Sequence, residues 1–251
     1  MAGHSKWANI RHKKAKEDSK RAKVFTKIIK ELTIAAREGG SDPTGNPRLS
    51  LAIDNAKAAN LPKDTMERAI KRGSGEGDDA ANYEEVTFEG YGPGGIAYFI
   101  ESTTDNNTRT VAEVRHIFSK HGGNMGTNGS VGFLFEQKGS IRVPAENLDE
   151  EEFMLLAIEA GADDVNIDEE FFEVLTARED LFSVRTELEN NNITIESAEL
   201  IRIASTETKV DADTALSNFK MMEKFDDNDD VTNVFTNMLM DEETLSVAEQ
   251  L

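Results

Sequence analysis

The order of hydrophobic periods predicts an α+β chain of several domains: a three-helix N-terminal domain followed by two α+β, ferredoxin-like domains. Three observations carry that prediction. Apolar residues recur at helical spacing as far as residue 72 and alternate as in strands from Tyr83 onward. The stretch GSGEGDD, residues 73–79, contains no apolar residue and separates the two regimes. Residues 137–204 then follow the order βαββαβ, which a split-βαβ sandwich satisfies by laying both helices on one side of a four-stranded antiparallel sheet.

The first helix is expected from Lys14 to Glu38, a run without Gly or Pro that stops at Gly39-Gly40. Ala15, Ala22, Phe25, Ile29, Leu32 and Ala36 form its apolar stripe, and Lys13, Lys16, Lys20, Lys23, Lys27 and Lys30 lie roughly opposite. Two shorter helices open at Pro47, with Leu49, Ala52, Ile53 and Ala56 inward, and after Pro62, with Met66, Ala69 and Ile70 inward. Past the linker come strands YEEVTFEGY and IAYFIES, a helix from about Asn107 to Lys120, and strand SVGFLFE. The next unit reads as strand SIRVP, a helix from about Leu148 to Ala160, strands near DVNIDE and FFEVLTA, a helix over 179–190 and strand ITIESAELIRIA. A helix over 212–225 and a strand VTNVFTNM cannot stand alone, so they are expected to return to the middle strands. The expected domains are therefore 1–79, 80–136 with 205–240, an inserted 137–204, and a tail over 241–251.

Charge is divided as sharply as periodicity. The chain of 251 residues has 28 Lys and Arg against 48 Asp and Glu. Residues 1–72 carry 17 − 8 = +9, which leaves −20 − 9 = −29 for the rest. An acidic body repels nucleic acid, so a polyanion is expected to meet the basic head. The absence of cysteine excludes disulfides, thiolate nucleophiles and thiolate metal sites. No stretch of eighteen apolar residues occurs, and the start MAGHSKWANIRHKKAK is charged where a signal peptide is apolar, so a cytoplasmic protein without a membrane partner is expected.

Few residues suggest other chemistry. Gly90, Gly92 and Gly95 match G-x-G-x-x-G, but IAYFIES follows as a strand, where a dinucleotide site needs a helix N-terminus; a hairpin turn is expected, and no cofactor. Glu113 and His116 form a single E-x-x-H pair, and His116 and His121 stand five apart, so no metal site is expected. The acidic clusters at 149–152, 168–170 and 226–230 lack calcium-loop spacing and read as solvated surface. No nucleophile elbow, phosphate loop or triad appears, and no catalytic residue is assigned. In GFLFE, Phe133 and Phe135 share one side of the expected strand and read as core rather than as an RNA platform.

The basic stripe stands apart. A solvated lysine face ordinarily interleaves Glu, whereas this one is unmixed and continues from an arm holding Lys6, Trp7, Arg11 and His12. Like charges on adjacent turns repel, which favours a polyanionic partner. Trp7 could stack on a base or dock the arm on the helices.

MAGHSKWANIRHKKAKEDSKRAKVFTKIIKEL, DPTGNPRLSLAI, ERAIKRGSGE, FEGYGPGGIA, TDNNTRTVAEVRHIFSKHGGNMGTNGSV and FLFE together resemble the YebC-type family. The resemblance implies three domains and a DNA-binding transcriptional regulator. Because some members of the family act in translation, it also implies the alternative of a ribosome- or RNA-binding translation factor that relieves stalling at proline-rich stretches. The family's basic motif falls on Lys6, Trp7, Arg11, His12, Lys13, Lys14, Lys16, Lys20, Arg21, Lys23 and Lys27, and the stripe adds Lys30. A second motif falls on Asp105, Asn106, Arg109, Arg115 and Lys120, among which Arg109, Arg115 and Lys120 are candidate secondary contacts. Relatives often read TDNRNRT there; Asn107 and Thr108 leave this chain without a cation at 107. The expectation is a non-enzymatic monomer whose partners are duplex DNA or ribosomal RNA, with ribosomal proteins as further neighbours.

Overall fold

The computed structural model describes residues 18–75, 82–168 and 170–248, with residues 18–21 described by backbone alone. Within these, eight α-helices and two four-stranded sheets form two compact units. One gathers residues 31–75, 137–168 and 170–202, the other residues 18–30, 82–136 and 203–248. Helix α1 (Asp18–Gly39) contributes residues to both.

In the first unit, α1 ends where Gly40 takes φ of 85° and returns its amide to Ala36 O at 3.0 Å. Asn46 then fastens two helix ends at once. Its Oδ1 accepts from Leu49 N at 3.1 Å and opens α2 (Pro47–Ala58), while its Nδ2 donates to Ala35 O and Gly40 O at 2.7 and 2.9 Å. Pro47 at the first helical position needs no amide partner. Helix α3 (Lys63–Gly73) runs one residue into the expected linker. A Cβ on Gly73 would lie 2.1 Å from Thr33 O, so this glycine lets α3 approach α1 closely, and the linker residues 76–79 lie outside the described residues.

The sheet of this unit comprises β4 (Phe135–Pro144), β5 (Asp164–Ile167), β6 (Phe171–Ala177) and β7 (Ser197–Ala204) in the order β5-β6-β4-β7. β6 is antiparallel to both β4 and β5, with Ile141 opposite Val174 and Val165 opposite Val174 on the other side. With α5 (Glu150–Glu159) and α6 (Leu181–Asn190), this is the split-βαβ arrangement. Phe153 of α5 stacks on Phe172 at 4.8 Å, among Ile141, Val143, Val174, Val184 and Leu188. Asn55 of α2 donates to Ala198 O and accepts from Ala198 N, the two bonds a neighbouring strand would make to the edge strand β7. Arg185 of α6 pairs with Asp54 of α2 and with Glu189.

In the second unit, β1 (Glu84–Tyr91) and β2 (Ala97–Thr104) form a hairpin through GYGPGG. Gly94, at φ of 72°, supplies the left-handed turn residue, and a Cβ on Gly92 would strike Asn218 and Tyr98 at 2.6 Å. The glycines serve a tight turn and close packing. β3 (Asn124–Met125) pairs with β1, and β8 (Val231–Thr236) pairs antiparallel with β2, giving the order β3-β1-β2-β8. Helices α4 (Asn107–Lys120) and α7 (Ala212–Asp226) start on Asn106 and Asp211, whose side chains accept from Arg109 N and Thr214 N. Tyr98, fully buried, anchors the core between Phe118 and Phe225 and donates its hydroxyl to Asn218 Oδ1 at 2.9 Å.

Five expectations change. SVGFLFE is not one strand: Gly132–Leu134 is a 3-10 turn, and the strand starts at Phe135. The buried Glu89 carboxylate causes this by accepting from the amides of Gly129, Val131 and Gly132 at 2.6–2.7 Å. Phe135 therefore packs on Phe99 while Phe133 is 76% exposed, so only one of the two aromatics is core. ITIES is irregular until Ser197. The tail contains helix α8 (Glu242–Ala248), opened by Asp241 accepting from Thr244 N, with Leu245, Val247 and Ala248 against the core. The cluster at 226–230 is not simply solvated, because Asp230 is buried.

Asn46→Ala removes three hydrogen bonds around two helix ends, so it is expected to lower the free energy of unfolding by about 1–3 kcal/mol. Urea denaturation with an unchanged m-value checks this.

Candidate nucleic-acid interface

The lysines of α1 were expected to share one solvated face, and the described ones do not. Lys30 is 5% exposed. Its Nζ donates to Asp230 Oδ1 at 2.8 Å, Thr103 O at 2.9 Å and Asp229 O at 2.7 Å, so all three ammonium protons have acceptors. The ring centroid of Tyr83 lies 5.6 Å away. Lys30 therefore leaves the set of candidate contacts: helical spacing alone put it on the stripe, but the loop after α7 supplies a carboxylate and one carbonyl over that turn and the end of β2 supplies a second carbonyl.

Asp230 is the centre of this arrangement. Its Oδ2 accepts from the Arg109 guanidinium, from Thr110 Oγ1 at 2.9 Å and from Thr104 Oγ1 at 3.2 Å. Its backbone is fixed as well, with Asp230 O accepting from Thr103 N and Asp230 N donating to Asn228 Oδ1. Burial pushes its carboxyl pKa up, but the hydrogen bonds from Lys30, Arg109 and Thr110 outweigh burial and hold it at about 2. The same contacts, with a further ion pair to Asp105 at 2.8 Å, raise Arg109 above its ordinary range.

Lys23, two turns earlier, donates to Asp227 Oδ1 at 2.7 Å, and Lys224 reaches the other oxygen of Asp227 at 3.3 Å. This pair is half-exposed and holds Lys23 loosely. Lys27 is half-buried. Lys20 and Arg21 lie on α1 with side chains outside the description, and Lys6, Trp7, Arg11, His12, Lys13, Lys14 and Lys16 lie outside the described residues altogether.

Among the secondary candidates, Arg109 is committed to Asp230 and Asp105, whereas Arg115 and Lys120 are exposed on α4. Lys120 lines a cleft of about 760 Å³ with Arg109, His116, His121, Lys224 and Asp227. His121 has its pKa lowered first by burial and then by the charges of Lys120, Lys224, His116 and Lys220. The structure thus adds Lys220 and Lys224 of α7 to the basic groups that α4 presents. Sequence spacing on single helices could not place them there, since α4 and α7 are about a hundred residues apart. Glu113 of the E-x-x-H pair accepts from Asn228 Nδ2 at 2.7 Å. No helix among the described residues is long and apolar enough to cross a membrane.

Comparison with known proteins agrees with this architecture. Residues 5–76 match the TACO1/YebC protein N-terminal domain, and residues 83–238 match the TACO1/YebC second and third domain. The chain belongs to the TACO1/YebC family. A relative from Persephonella marina is 54% identical over 247 residues, covering 98% of each chain, and carries the name "Probable transcriptional regulatory protein". Relatives of the same description from a Sulfurihydrogenibium species and from Chlorobaculum tepidum are 51% and 49% identical. The first of these covers 99% of this chain and all of its own; the second covers both chains entirely. The crystal structure of a conserved hypothetical protein from Aquifex aeolicus superposes with a TM-score of 0.85 at 45% identity, covering 91% of this chain and 94% of its own. The α+β fold, a helical N-terminal region followed by two α+β domains, is therefore shared with a solved structure. The TACO1/YebC N-terminal match includes the basic arm from residue 5 onward, and so the segment richest in candidate contacts is part of the family pattern.

Asp230→Asn leaves Lys30 buried beside a neutral partner and is expected to cost about 3–5 kcal/mol of stability at pH 7. The Asp230 pKa is depressed from 3.8 to about 2, so its stabilisation is present above pH 4 and is lost as pH falls from about 4 to 2. Unfolding followed across that window should show a shallower pH dependence in the Asn variant than in the wild type.

Proposed function

We propose that this TACO1/YebC-family protein is a non-enzymatic, cytoplasmic regulator of gene expression that binds nucleic acid through its basic N-terminal segment, acting on duplex DNA as a transcriptional regulator. The charge division carries the reading: +9 over residues 1–72 against −29 over the rest. A polyanion is attracted to one end of the chain and repelled by the remainder. The names of the close relatives support the transcriptional assignment. The arrangement of α1 refines it. Lys30 is consumed internally and Asp227 competes for Lys23, so phosphate contact falls first to Lys6, Arg11, His12, Lys13, Lys14, Lys16, Lys20 and Arg21, with Trp7 stacking beside them and Arg115 and Lys120 as secondary contacts. Contacts of this kind give affinity and a steep dependence on salt with little base readout.

The test is a competition at near-physiological salt between mixed genomic duplex and purified ribosomes, followed by sedimentation of the labelled protein. Transfer to duplex is the expected result. Retention on ribosomes would replace this reading with that of a translation factor bound to ribosomal RNA and its basic proteins.

Three variants check the residues. Changing Lys13, Lys16 and Lys20 together to Ala is expected to flatten the salt dependence of duplex binding by up to about 0.9 log unit per lost phosphate contact, while Lys23→Ala alone changes the slope little. Asp227→Asn, which frees Lys23, should strengthen binding and steepen the slope. Fluorescence anisotropy over a salt series measures both.

A further inference from the structure

Helix α5 carries FMLLAI, six consecutive apolar residues at 153–158, yet only one side of it faces a core. Phe153 and Ala157 are buried against the sheet. On the outer side, Met154, Leu155 and Ile158 are 40%, 67% and 50% exposed, and their spacing of one, three and four residues aligns them in a single stripe with Glu151. A helix at the surface of a domain is ordinarily polar on its outer face, and one that is apolar on both sides is covered on both.

Charge indicates what covers it. From residue 143 to residue 177 the chain contains twelve Asp and Glu and no Lys or Arg. Glu150, Glu151, Glu152 and Glu159 surround the stripe, all exposed, and among the described residues none of the four makes an ion pair. Acidic groups that repel one another around an apolar strip are matched by a partner with apolar groups along its centre and cations at its edges. We propose that the outer face of α5 is a docking surface for a Lys- and Arg-rich amphipathic helix of another protein, with its apolar side on Met154, Leu155 and Ile158 and its cations on the surrounding glutamates. The role of this surface does not depend on which nucleic acid the basic head binds.

The full-length protein is titrated with three synthetic eighteen-residue peptides: a Leu/Lys amphipathic helix, a Leu/Glu helix of the same apolar pattern, and a Ser/Lys peptide of equal charge. Saturable binding of the Leu/Lys peptide is expected, at least tenfold tighter than that of either other peptide. The combined change Met154→Ser, Leu155→Ser and Ile158→Ser should weaken it at least tenfold, and Glu151→Lys with Glu152→Lys should shift preference toward the Leu/Glu peptide. None of these side chains belongs to the buried core, so an unchanged thermal midpoint verifies folding. Equal binding of the Ser/Lys peptide, or binding indifferent to the serine variant, would overturn the proposal. So would self-association of the wild type that the serine variant abolishes, since a second copy would then occupy the face.

Discussion

A lysine and an aspartate two hundred residues apart meet in the interior of the second unit, and much of the arrangement around them depends on that meeting. Burying Lys30 or Asp230 alone would carry a large desolvation penalty. Together they are tolerated because every polar atom is used: three acceptors surround the ammonium, and Arg109, Thr110 and Thr104 complete the carboxylate. The pair thereby joins the first helix, the end of β2, the start of α4 and the turn before β8. A well-packed apolar cluster could supply equal stability at lower cost in desolvation, but the directional contacts admit only one register of these four elements.

This centre alters how the charge division is understood. Six lysines in line are costly because like charges on adjacent turns repel, and a polyanionic ligand is one way to relieve that cost. The fold provides another, because Asp227 and Asp230 approach Lys23 and Lys30 from the loop after α7. The acidic body is therefore more than a repulsive mass that orients a ligand. It takes up Lys23 and Lys30 of the basic stripe.

Much of the architecture was legible because local signals and burial agreed. Pro47, Pro62, Asn106 and Asp211 mark helix starts that the structure contains, and the βαββαβ order emerges from strands whose alternate residues need a face to bury. The misreadings have a common origin. GFLFE alternates like a strand, but Glu89, forty residues earlier, takes three of the local amides and turns the chain. Helix α8 was missed because its apolar residues are few and its stability comes from packing against α7, with Asp241 as the one local start signal.

The sequence by itself determined the periods, the helix caps, the segregation of charge and the family, since each depends on residues near one another in the chain. Tertiary structure decided which charges remain available. Lys13 and Lys30 both belong to the lysine stripe of a helical projection, and nothing nearby in the chain shows that one of them is buried. Lys30 meets a carboxylate brought by β8's pairing with β2, and whether a charge faces water or a partner depends on contacts between distant segments rather than on local spacing.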